Sequence, residues 1–130
     1  MSKIFDELLV MAANQDQPQR LLFLFAKPEG HNPKKSKKFQ KGHINPMMCV
    51  DKLPDALTTF EALVKEADSI DSTWHFIFIS GLSGENNKAP TSEDAEPYLN
   101  KMTNDLVTGQ NINRYLVVDR IGQPIEMMAN

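Results

Sequence analysis

The sequence predicts a single α/β domain, with one mixed sheet of about four strands in the order α-β-α-β-α-β-β and an antiparallel hairpin at its C-terminal end. Three observations predict it. Two short apolar runs without alternation, at 21–26 and 74–80, read as strands covered on both faces. Segments with apolar residues at helical spacing lie before and between them. A chain of 130 residues, 41% hydrophobic and 24% charged, matches one ordinary domain over 1–130, without repeats or a linker.

The elements follow in order. Residues 2–14 read as a helix: Ser2 is a cap, Asp6 and Glu7 suit its positive end, and Ile4, Phe5, Leu8, Leu9 and Ala12 form one stripe. Pro18 marks the turn into the strand at 21–26, which Lys27-Pro28 stops. Residues 29–46, with Gly30, Pro33, Gly42 and Pro46, read as a long exposed loop, and 47–50 as a short strand. Residues 53–70 read as a helix with Pro54 in its first turn and Leu53, Leu57, Phe60, Leu63, Val64 and Ala67 inward. The strand at 74–80 leads into a polar loop over 81–90.

Thr91-Ser92-Glu93-Asp94 then resembles a capping box with Asp in the Glu position. Pro97 conflicts with it, so the regular helix is expected from Glu96 or Pro97, with Tyr98, Leu99, Met102, Leu106 and Val107 inward and Gly109 ending it. Residues 114–119 and 123–128 read as two strands around Ile121-Gly122. Two β-α-β crossovers imply parallel neighbours, an order reminiscent of thioredoxin-like folds. The C-x-x-C of such redox proteins is missing, so the likeness carries no activity.

The net charge of −3 hides an asymmetry: residues 27–43 carry +5 and the rest of the chain −8. A single cysteine, Cys49, excludes an intrachain disulfide and favours a reducing compartment. The N-terminus lacks the basic and long apolar regions of a signal peptide, and no apolar run nears the ~20 residues of a membrane span, so the expected setting is cytoplasmic, without a membrane partner.

Candidate chemistry is sparse. Lys34, Lys35, Lys37, Lys38 and Lys41 are candidate contacts to an anion or nucleic acid, with Phe39, His31 and His43 available for stacking. An acidic body would repel a polyanion, so nucleic acid is not the favoured partner. Ser80, Gly81, Ser83, Gly84, Thr91 and Ser92 lie between a strand and a helix, where small residues can hold an anionic ligand. They match neither a phosphate-binding loop nor a dinucleotide fingerprint, and turn chemistry explains the glycines as well. Cys49 is a small apolar-run residue unless a base meets it. The histidines show no metal spacing; no metal and no cofactor are expected, and no catalytic residue is assigned.

The stretches 17–26, 48–52, 90–96 and 119–125 resemble a family of small proteobacterial proteins that often carry the label "ribonucleotide reductase subunit alpha". The resemblance is to that small family and not to the reductase, whose large subunit is a far bigger barrel enzyme with several cooperating cysteines. It implies no role for any residue here. The sequence reading is therefore a non-catalytic cytoplasmic binding or accessory domain acting through a protein partner. The alternatives are a small enzyme or anionic-ligand-binding protein using loops at the strand carboxyl ends, and nucleic-acid contact through the lysines. An edge hairpin also allows a homodimer.

Overall fold

The innermost strand explains the architecture, and a computed structural model describes it over residues 3–28, 44–57 and 59–125. Strand β1 (Gln19–Pro28) has six consecutive residues, Leu21 to Ala26, that are each at most 2% exposed. Side chains alternate across a strand, so such a run needs cover on both faces. Leu21, Phe23 and Phe25 face helices α1 (Lys3–Ala13) and α2 (Phe60–Ile70). Leu22, Leu24 and Ala26 face α3 (Ser92–Thr108). The domain is thus a three-layer α/β structure with helices on both sides of one sheet.

The sheet contains four strands in the order β2-β1-β3-β4, with β2 at Ile44–Lys52, β3 at Phe76–Ser83 and β4 at Leu116–Val118. Every pairing is antiparallel, which corrects the expected parallel neighbours and mixed sheet. The physical reason is β2. It is a nine-residue strand where a brief one was expected, and it pairs with β1 directly. The crossover through α2 therefore joins β2 to β3, which run in the same direction but with β1 between them. Continuous burial of β1 requires two covered faces, and antiparallel strands satisfy that equally well.

A bulge between Phe25 and Ala26 places Met48 opposite Phe25 and Pro46 opposite Ala26, leaving Met47 as the extra residue. Met47, Met48 and Val50 all pack on the α1/α2 layer. Pro46 is tolerated because β2 is an edge strand. Within that layer Phe5 meets Phe60 edge-on at 5.5 Å, and Trp74 meets Phe25 at 5.0 Å. The expected C-terminal hairpin is reduced to three residues of β4 and a bridge from Val118 to Pro124, the Ile125 amide donating to the Val117 carbonyl. The rest of its second strand, 126–128, lies outside the described residues.

Helix boundaries sharpen the sequence reading. α2 starts at Phe60, not at Leu53: Pro54–Ala56 is a separate 3-10 turn, Leu57 is extended, and the Thr59 hydroxyl caps the helix by accepting from the Ala62 amide. α3 starts at Ser92, not at Glu96 or Pro97, because the capping box is complete. The Thr91 hydroxyl accepts from the Asp94 amide, and the Asp94 carboxylate accepts from the Thr91 amide. The helix begins at that reciprocal cap and runs on through Pro97, which forfeits one hydrogen bond inside it. Gly109 ends α3 in the left-handed region at φ 73°. The buried stripe is Ala95, Leu99, Met102 and Leu106. Tyr98 and Val107, expected inward, are 50% and 65% exposed, each about a quarter-turn to one side of it.

Candidate functional site

Antiparallel pairing sets where a site can form. The carboxyl ends of β1 and β3 lie at opposite ends of the sheet, since Gln19 pairs with Ser83 and Ala26 with Phe76. The loops leaving those two strands therefore do not share one crevice. The carboxyl end of β3 adjoins a concave surface.

That surface begins with a tight reversal. Glu85 and Lys88 exchange backbone hydrogen bonds of 3.1 and 2.9 Å around Asn86 and Asn87, whose φ angles are 54° and 62°. Two successive left-handed residues are what a primed hairpin turn needs, and asparagine tolerates them. The turn is pinned to the α1–β1 connection: the Gly84 amide donates to the Pro18 carbonyl at 2.8 Å, and the Asn87 amide to Gln17 Oε1 at 2.8 Å. A Cβ on Gly84 would lie 1.9 Å from the Lys88 carbonyl oxygen, so glycine is required by the turn itself. Between this turn and the first turns of α3 lies a cleft of about 430 Å³, whose walls include Leu82, Glu85, Lys88, Asp94 and Tyr98.

Of the residues expected to hold a ligand, Ser83, Gly84 and Thr91 line this cleft, whereas Ser80, Gly81 and Ser92 do not. Ser80 and Gly81 are interior positions of β3. The Ser83 hydroxyl accepts from Gln19 Nε2 at 2.7 Å, and the Thr91 hydroxyl serves the helix cap. Sequence reasoning missed Tyr98, Glu85, Lys88 and Asp94 as cleft residues. The available signal was the spacing of four between Asp94 and Tyr98, which puts both on one helix face.

Ser92 belongs to a polar cluster that ties three elements together. Arg20 Nε donates to Asp51 Oδ2 at 2.6 Å, its Nη2 to Ser92 Oγ at 2.7 Å and its Nη1 to the Pro90 carbonyl at 3.3 Å. Ser92 Oγ donates in turn to Asp51 Oδ2 at 2.6 Å. Burial pulls the Asp51 carboxyl upward, but the Ser92 hydroxyl and the Arg20 guanidinium more than offset it and hold it below its ordinary value.

Two further clusters are partnered in the same way. Asp68 accepts from Trp74 Nε1 at 2.9 Å and from Arg120 at 2.8 Å, while the Arg120 guanidinium sits 4.1 Å over the Trp74 ring. Asp105, 3% exposed, accepts from Tyr115 Oη at 2.5 Å, Lys101 at 3.0 Å and Asn111 at 3.3 Å. The Tyr115 hydroxyl, chief among these donors, keeps the Asp105 carboxyl low against its burial. Burial and the same bond push the Tyr115 phenol up. Among the described residues no buried side-chain nitrogen or oxygen lacks a partner.

Cys49 is exposed on β2, opposite Leu24. Partial burial, followed by the nearby Asp51 charge, raises its thiol pKa, the reverse of what a nucleophile needs. Ser83 lies five residues further along β1, about 16 Å, and on the other side of that strand. His75, whose amide bonds the Ala26 carbonyl, is at the opposite end of β3 from Ser83. These three side chains do not meet. His31, His43, Phe39, Lys34, Lys35, Lys37, Lys38 and Lys41 lie outside the described residues. Among the described residues no group of His, Cys, Asp and Glu gathers as a metal site, and no helix is long and apolar enough to cross a membrane.

Comparison with family models, with curated proteins and with solved structures returns no match.

Proposed function

We propose that this chain is a non-catalytic cytoplasmic binding domain that engages a protein partner through the cleft between the 85–88 turn and α3. One observation carries the reading: the Ser83 and Thr91 hydroxyls on the cleft wall each accept a hydrogen bond from within the fold, while Tyr98 stands half exposed beside them. An aromatic ring with one polar tip, set in a cleft, is a recognition feature. The three polar clusters support the same reading, because each joins helix to strand or turn and its charged groups are partnered within the fold. A reducing compartment accords with an exposed thiol on β2. Kinship with the small proteobacterial family is part of the proposal and adds no residue role.

The test is affinity capture with the full chain as wild type, Tyr98→Ala and Val107→Ala. The reading predicts a protein retained by wild type and Val107→Ala and lost with Tyr98→Ala. Equal retention by all three overturns it.

A further inference from the structure

We infer that the cleft receives a basic side chain of the partner, arginine or lysine, laid on the Tyr98 ring between the carboxylates of Glu85 and Asp94. The inference rests on the cleft being the partner-binding surface and adds the chemistry of what enters it. Helix N-termini ordinarily attract anions through unsatisfied amides and the helix dipole. At α3 that attraction is already answered from within. The Asp94 amide is taken by Thr91 at 3.1 Å, the Thr91 amide is taken by the Asp94 carboxylate at 3.0 Å, and Glu93 adds a second acid to the first turn. An entering anion would meet carboxylates there.

A cation meets the opposite situation. Tyr98 is one turn beyond Asp94 on the same helix face, and Glu85 reaches the cleft from the facing turn. Carboxylates in one cleft with a half-exposed aromatic ring suit a guanidinium, which stacks on such a ring while its edge donates to the acids. Lys88 is the cation of the cleft wall, so the lining carries one more acid than base. The chain's net charge of −3 has the same sign and favours the approach of a basic segment.

The experiment is an amide-resolved NMR titration of the full chain with the N-acetylated, C-amidated tripeptide Arg-Ala-Arg at low salt, with Gln-Ala-Gln and Glu-Ala-Glu as comparisons. Arg-Ala-Arg is expected to move amides in 83–91 and 94–98, and the other two tripeptides are not. Glu85→Gln and Tyr98→Leu should each weaken it by about two- to fivefold, the size of an exposed ion pair or cation–π contact. Lys88→Gln should strengthen it by a similar factor. Unchanged amide dispersion shows that each variant is folded. Equal shifts from Glu-Ala-Glu, no shift from Arg-Ala-Arg, or indifference to Glu85→Gln overturns the inference. Failure of the underlying partner reading is seen separately, as capture that survives Tyr98→Ala.

Discussion

Replacing Asp105 removes a carboxylate that is 3% exposed and accepts three hydrogen bonds. Asp105→Ala leaves the half-buried Tyr115 hydroxyl without its acceptor, while the amide of exposed Asn111 can turn to water. A hydrogen bond to a charged group contributes roughly 1.5–3 kcal/mol, and an orphaned buried donor costs about 1–3 kcal/mol. Lys101 is 50% exposed at its side chain and returns to water at little cost. The expected loss is about 2–4 kcal/mol, a large share of the roughly 5–15 kcal/mol that holds a domain together. Asp105→Asn keeps an acceptor for Tyr115 and should lose about half as much. Urea denaturation would show the Ala variant's midpoint lowered by on the order of 1–2 M with an unchanged slope. The sign of the pH dependence follows from the depressed folded pKa. Stability from Asp105 is present above its unfolded value near 3.9 and lost as pH falls through the lower folded value. The gap between wild type and Asp105→Asn should therefore narrow below about pH 4. A loss under about 0.5 kcal/mol for Asp105→Ala, or a gap unchanged down to acid pH, refutes the network as a stabilising element.

Other perturbations separate the remaining parts. Arg20→Ala, which frees Asp51, Ser92 and the Pro90 carbonyl at once, should cost about 2–3 kcal/mol in the same denaturation assay, and Arg20→Lys should restore only part, because an ammonium cannot reach all three acceptors. Gly84→Ala should cost more than about 1 kcal/mol and move the amides of 84–88, since its Cβ meets the Lys88 carbonyl at 1.9 Å. Cys49, although exposed, should react with a disulfide reagent at neutral pH more slowly than free cysteine and accelerate as pH rises, because its thiol pKa is raised; faster reaction than free cysteine at pH 7 contradicts this.

Much of the fold was legible in particular residues. The run at 21–26 announced a doubly covered strand, and Gly109 announced the end of α3, whereas its start at Ser92 was missed because Pro97 was weighed above the Thr91 capping box. Strand direction was not legible, because burial on both faces reports cover and not pairing sense. What settled it was β2, whose Asn45 and Pro46 break the look of a strand although an edge position accepts them. The helix start at Phe60 was hidden by Pro54, which opens a 3-10 turn as readily as an α-helix. Tyr98 was misread as core because an apolar stripe read from sequence does not fix the rotation of the helix about its axis. The cleft was half legible: Ser83, Gly84 and Thr91 were placed on it by their position after a strand, whereas its charged and aromatic walls need the folded turn at Asn86-Asn87 to face α3.

The most direct measurement is site-specific photo-crosslinking in the cell, with a benzophenone side chain placed at position 98 or, on the same helix and similarly exposed, at position 107. Recognition through the cleft predicts one discrete protein adduct from position 98, diminished by Lys added at position 85, and none from position 107. Absence of an adduct at 98, or the same adduct from both positions, would contradict it.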